Sequence, residues 1–191
     1  SKNFYTSNNI ANSSKGEIIN QAFKFHSQGN IKEAIKYYQY FIQQGFKDYR
    51  VFSNLGVILQ NQGKAEEAEL FIRKAIELNP DFADSYSNLG TILKDLGNLK
   101  EAETSLRKAI QLNPNFAKAY YSLSLLKYSD NNQTWKLDLF SENIIKNNSA
   151  KEKVDIYFAR ANILHNEKQY KESARYLQLA NKLKLEITGS T

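Results

Sequence analysis

Residues 53–82 read SNLGVILQNQGKAEEAELFIRKAIELNPDF, and residues 87–116 read SNLGTILKDLGNLKEAETSLRKAIQLNPNF. The second stretch follows the first at a spacing of 34 residues, and side-chain size recurs along with hydrophobicity. Taking Tyr49 as position 1, one unit has Phe52 at position 4, Leu55 and Gly56 at 7 and 8, Leu59 at 11 and Gly63 at 15. It continues with Ala68 at 20, Ile72 at 24, Ala75 at 27 and Pro80 at 32. The unit that starts at Ala83 puts Tyr86, Leu89, Gly90, Leu93, Gly97, Ala102, Leu106, Ala109 and Pro114 at the same positions.

These choices describe two amphipathic helices packed antiparallel. Small residues at positions 8, 20 and 27 let the helix axes approach to about 8–10 Å, and large residues at 4, 7, 11 and 24 fill the space between them. Glycine at position 15 supplies the left-handed backbone that ends a first helix. The Asn-Pro pair at 31 and 32 ends a second helix, because a residue before proline is pushed out of the helical region. One such pair cannot bury both of its faces, so neighbouring pairs stack.

The register extends in both directions. A unit from Lys15 has Ile18, Ala22, Phe25, Gly29, Ala34, Tyr38 and Phe41 in place, with QQGF where the proline turn would fall. A unit from Ala117 keeps Tyr120, Leu123 and Ser124, loses the pattern at SDNNQTW, and resumes with one late helix at LDLFSENIIK. A unit from Val154, three residues out of phase, has Tyr157, Ala161, Leu164, Tyr170, Ser173, Leu177 and Ala180. The expected organisation is a polar tail over 1–14, helical pairs over 15–48, 49–82, 83–116, 117–153 (degenerate) and 154–187, and a short tail over 188–191. The degenerate unit reads as a drifted repeat with a longer turn. A sharper reading makes Trp135, the only tryptophan, an exposed anchor for a partner.

An aromatic, Leu-Gly, a large residue, then Ala, a large residue, Ala and Pro over 34 residues resembles the tetratricopeptide (TPR) pattern. The resemblance implies an all-α fold, a right-handed superhelix (α-solenoid) of about five helix-turn-helix units. It also implies that positions 2, 5, 6, 9, 12 and 13 of the first helices face a bound partner.

Composition excludes several kinds of chemistry. The absence of cysteine removes disulfides, thiolate zinc sites and cysteine nucleophiles, which suits a reducing, cytoplasmic setting. No apolar run approaches membrane-spanning length, so no membrane partner is expected. The net charge of +6 is spread along the chain with Lys and Glu interleaved, unlike the basic stripe of a nucleic-acid binder. His26 and His165 both fall at position 12 of a first helix with no second ligand or nucleophile placed beside them by the sequence. Gly56 and the Gly63-Lys64 pair have the wrong spacing for a phosphate loop, and Ala65 stands where Ser or Thr would meet magnesium. The sequence therefore predicts no enzyme, metal or cofactor site in this chain.

Position 6 reads Asn20, Asn54, Asn88, Ser122 and Ala159. Three asparagines one repeat apart resemble the asparagine-ladder arrays of O-GlcNAc transferase and of bacterial multidomain TPR proteins, in which such a ladder holds the backbone of an extended peptide. A carboxamide both donates and accepts, so it matches an amide unit whatever side chain that unit carries. Around the ladder the expected groove takes in Arg50, Ser53, Val57, Asp84, Ser87, Thr91, Lys118 and Tyr121, with Tyr128 beyond. Ile19 and Phe23 occupy first-repeat positions where the chaperone-binding TPR class has Lys and Asn for a C-terminal carboxylate. A peptide ending in Glu-Glu-Val-Asp is therefore not expected to bind.

The leading expectation is a protein–protein interaction scaffold that takes an extended peptide of a partner protein. The competing expectation is the N-terminal substrate-recruiting arm of a larger bacterial enzyme of glycosyltransferase, sulfotransferase or methyltransferase type. Its grounds are analogy with such proteins, the missing initiator methionine, and a final LKLEITGST without a clearly polar capping helix. A third expectation is self-association through Leu179, Leu183, Leu185 and Ile187 of the apolar C-terminal helix.

Overall fold

A computed structural model describes residues 13–126 and 134–189, so most of the expected N-terminal tail, Tyr128 and the last two residues lie outside the described part. The described residues form eleven α-helices and no strand. They are α1 Lys15–Ser27, α2 Ile31–Gln43, α3 Tyr49–Asn61, α4 Ala65–Leu78, α5 Ala83–Asp95 and α6 Leu99–Leu112. There follow α7 Ala117–Ser124, α8 Thr134–Phe140, α9 Glu142–Lys146, α10 Ala150–Asn166 and α11 Tyr170–Gly189. The fold is an all-α solenoid type built of helix pairs, and the chain divides into two compact units, one up to Pro80 and one from Asp81. No helix among the described residues is long and apolar enough to cross a membrane.

The first unit holds the pairs α1·α2 and α3·α4, joined through α2 and α3. Its core is built on Ile18, Ala22, Ala34, Tyr38, Phe41, Val51, Leu55 and Ile58. A Cβ added to Gly56 would lie 2.6 Å from Cγ1 and Cδ1 of Ile72 and 3.2 Å from the carbonyl oxygen of Ala68. The small residue at position 8 is thus the condition for α3 and α4 to approach as closely as they do. Ser14 caps α1 in a reciprocal box: its hydroxyl accepts from the Glu17 amide at 3.3 Å, and the Glu17 carboxylate accepts from the Ser14 amide at 2.6 Å.

The second unit repeats the arrangement in α5·α6, where a Cβ on Gly90 would lie 2.5 Å from Cγ of Leu106 and 3.1 Å from the carbonyl of Ala102. Asn79 and Asn113 leave α4 and α6 in extended conformation (φ −146° and −137°), as the following prolines require. Beyond α6 the pairing loosens: α7 packs on α6 and α10, α8 packs on α9 and α10, and α10 pairs with α11.

The degenerate repeat departs from expectation in two ways. The late helix expected over LDLFSENIIK is broken at Ser141, whose hydroxyl caps α9 by accepting from the Ile144 amide. Arg160, only 4% exposed, makes the break affordable by donating from Nε to the Leu139 carbonyl at 2.9 Å and from Nη2 to the Ser141 carbonyl at 2.8 Å. Its guanidinium also lies 5.5 Å from the Phe140 ring and 5.4 Å from that of Tyr176. The exposed-anchor reading of Trp135 is overturned: the indole is 3% exposed, with the Arg107 guanidinium 5.8 Å from the ring.

Glycine at position 15 behaves as the sequence predicts. Gly29, Gly63 and Gly97 have φ of 72°, 77° and 80°. In the fifth repeat the same position is Lys168, at φ 62°, a conformation costly for a residue with a Cβ. Replacing Lys168 by Gly is expected to raise the stability of the chain by up to about 1 kcal/mol in urea unfolding. An unchanged or lower midpoint would show that Lys168 is held without strain.

Candidate functional site

The candidate residues lie on the first helix of each pair, and the two units are best taken separately. In the first unit Asn20 is exposed on α1. Asn54 on α3 donates from Nδ2 to the Tyr38 hydroxyl at 2.9 Å, and the same hydroxyl lies 2.9 Å from His26 Nδ1. The His26 and Tyr38 rings meet edge to face with centroids 5.9 Å apart. In the sequence Asn54 is one rung of a ladder and no partner is placed beside His26. The link between them is Tyr38, at position 24 of the preceding second helix.

Arg50 is occupied locally. It donates from Nε to Asp48 Oδ1 at 3.0 Å and from Nη2 to Asp48 Oδ2 at 2.7 Å, and its guanidinium lies 5.1 Å from the Phe23 ring. Burial would raise the Asp48 carboxyl, but the hydrogen bonds and charge of Arg50 hold it below the usual carboxylate range. Asp48 also caps α3 by accepting from the Arg50 amide at 2.9 Å. Ser53 is buried, while Val57 is half-buried.

In the second unit Asp84 is exposed and Ser87 is fully buried. The half-buried Thr91 donates its hydroxyl proton to the Ser87 carbonyl at 3.0 Å. Asn88 is 8% exposed, and its Oδ1 accepts from the ammonium of Lys118 at 2.9 Å. Tyr121 and Ser122 are half-buried on α7, and the Tyr121 ring faces Phe158 of α10 with centroids 6.2 Å apart. Ala159, at position 6 of the fifth repeat, is fully buried.

The structure thus brings Asn88 together with Lys118, and Tyr121 together with Phe158, while Ser53 and Ser87 turn inward. Asp155 and Phe158, at positions 2 and 5 of the fifth repeat, were missed by sequence reasoning. The signal was available, since the same positions were read in the earlier repeats.

The asparagines no longer offer equivalent groups. One N–H of Asn54 goes to Tyr38, whereas the oxygen of Asn88 is taken by Lys118. Removing either side chain therefore also removes an internal hydrogen bond, each worth about 1 kcal/mol net. Elsewhere, a hollow of about 410 Å³ lies between α2, α3 and α4, lined by Ile35, Ile42, Leu55, Ile58 and Phe71 with glutamines at its rim. No group of three or more His, Cys, Asp or Glu able to hold a metal occurs among the described residues.

These features define a helix-pair repeat protein with polar and aromatic side chains on its first helices. The family model described as tetratricopeptide repeat matches residues 49–82 and 83–116, and a second model of the same description matches 154–186. The chain belongs to the tetratricopeptide repeat family. No curated protein matches its sequence.

Solved structures similar to it include a crystal structure of MamA, 20% identical, covering 88% of this chain and 96% of that one with a TM-score of 0.61. A tetratricopeptide repeat protein from Parabacteroides merdae is 22% identical over 91% of this chain and 67% of its own, with a TM-score of 0.64. The second TPR domain of human RPAP3, solved in complex with the HSP70 peptide SGPTIEEVD, is 23% identical over 61% of this chain and all of its own, with a TM-score of 0.54. At these identities the likeness is one of fold.

His26 gives the first unit a definite pH dependence. Burial holds its pKa below the ordinary histidine value, so between that lowered value and about 6.5 the unfolded chain binds more protons than the folded one. Stability is expected to fall as pH is lowered through this window and to level off below it. Urea unfolding at a series of pH values should show His26→Gln with a shallower fall than the parent; identical pH profiles would contradict the assignment.

Proposed function

We propose that this chain is a protein-interaction scaffold that holds an extended segment of a partner protein against its first helices. The observation that carries the reading is the Asn88–Lys118 pair with Tyr121 against Phe158, polar and aromatic side chains of first helices among which Lys118 is exposed and Tyr121 and Phe158 are half-buried. In the first unit Asn54 adds a carboxamide whose oxygen and second N–H are not used by Tyr38. Asn20, Thr91, Lys118, Tyr121 and Ser122 complete the contact set, while the burial of Ser53 and Ser87 removes them from it.

The peptide-bound state of the RPAP3 domain supports the reading at the level of fold. It does not carry the peptide motif with it. Phe23 packs at 6.0 Å on Tyr38 and beneath Arg50, and Ile19 is buried, so neither position can supply the donors that a C-terminal carboxylate needs.

Selection of random displayed peptides on the parent chain, followed by affinity measurement on an Asn54→Ala, Asn88→Ala double variant, tests the proposal. The expected result is enriched peptides that lose about fivefold in affinity, one hydrogen bond of about 1 kcal/mol on the unit each peptide contacts. The same variant should unfold at lower urea than the parent while keeping its helical circular dichroism. Peptides that bind both chains equally would place the binding surface elsewhere.

A further inference from the structure

Lys118 and Tyr121 are three residues apart on α7, and Asp155 and Phe158 are three apart on α10, so each pair shares one helix face. The two helices pack together within the second unit. Across their seam the rings of Tyr121 and Phe158 stand 6.2 Å apart, inclined at 54°. Asp155, beside Phe158, feels the charge of Lys118 from α7 and of Lys151 and Glu152 from its own helix.

Asp155 makes no hydrogen bond or ion pair with another side chain among the described residues. Lys118 directs its ammonium instead to Asn88 at 2.9 Å. Burial raises the pKa of Asp155 above the ordinary value, and the two lysines offset this only in part. A half-buried carboxylate without a direct partner needs an explanation, because such groups are normally paired or hydrogen-bonded. Tyr121, Asp155 and Phe158 all remain partly exposed, so a ligand can reach them.

We propose that the second unit binds a basic side chain of its partner, an arginine, whose guanidinium pairs with Asp155 and stacks on Tyr121 and Phe158. Guanidinium fits better than ammonium because it is planar, donates in a fork that matches a carboxylate, and stacks on aromatic faces. Lys118, bonded to Asn88, acts on Asp155 only through its charge and leaves the carboxylate open to a direct partner. This inference rests on the proposed use of the first helices and names the chemistry of what lies there.

The test is NMR titration of the full chain with acetyl-Gly-Arg-Gly-amide and with its neutral citrulline analogue. The arginine probe is expected to give saturable shifts of the Tyr121 and Phe158 ring signals and to lower the apparent pKa of the Asp155 carboxyl, with the citrulline probe at least about tenfold weaker. Asp155→Asn should weaken the arginine response by a similar factor, and Phe158→Leu should reduce it while leaving the carboxyl titration of the free chain in place. Equal responses to the two probes, or no saturable response to arginine, would overturn the assignment. The comparison of probes on the parent chain stands even if a variant fails to fold. Because the probe requires no natural partner, loss of the arginine response alongside retained selection of peptides would refute this inference alone. An arginine response with no selectable peptides would instead refute the broader reading.

Discussion

The close approach of two helices at a residue without a side chain is the constraint on which the α3·α4 and α5·α6 pairs depend. Gly56 lets α3 lie against Ile72 and Ala68, and Gly90 lets α5 lie against Leu106 and Ala102, at separations that leave no room for a methyl group. Ala68, Ala75, Ala102 and Ala109 are fully buried at the same interfaces. With the axes this near, the large residues at positions 7, 11 and 24 fill the seam to the density of a protein interior. In the first and fifth pairs Ala22 and Ala161 take the glycine position. In the fifth, the Ser173 hydroxyl donates to the Ala161 carbonyl at 2.9 Å, so a polar contact joins the small-residue packing there.

That division of labour is what frees the first helices. Packing consumes the small residues and the large apolar ones, and leaves Asn54, Lys118, Tyr121, Asp155 and Phe158 at least partly exposed on the first helices. Their contributions are individually small, about 1 kcal/mol for a hydrogen bond, so useful affinity has to come from several acting together. Under the proposed function the internal bonds from Asn54 to Tyr38 and from Lys118 to Asn88 hold these groups in place, which lowers the cost of ordering them on binding.

Much of this was legible in the sequence, for a physical reason. Position 8 glycine, position 15 glycine and the Asn-Pro turn act through contacts within one 34-residue unit, so their spacing records their role. What the sequence concealed lies in contacts between successive repeats. Arg160 reaches carbonyls 19 and 21 residues away to seal the break at Ser141, and no periodicity announces it. The alternative of Trp135 as an exposed anchor rests on the lost pattern of its repeat, yet the indole is covered in the second unit. Asn54 looked free because Tyr38, its partner, belongs to the preceding repeat. Asp155 stands at position 2 of the repeat registered from Val154, but its setting beside the α7 helix and the charge of Lys118 comes from packing that the sequence does not record.

A double-mutant cycle on Gly90→Ala and Leu106→Ala tests the packing constraint most directly. Each substitution alone should destabilise the chain, the first by overpacking at about 1–3 kcal/mol and the second by leaving a cavity at about 2–5 kcal/mol. The account predicts that the two partly cancel, with a coupling of about 1 kcal/mol or more in urea unfolding, because the methyl added at Gly90 enters the space that Leu106 vacates. Strictly additive losses would contradict it and would mean that the glycine is required for something other than the approach of the two helices.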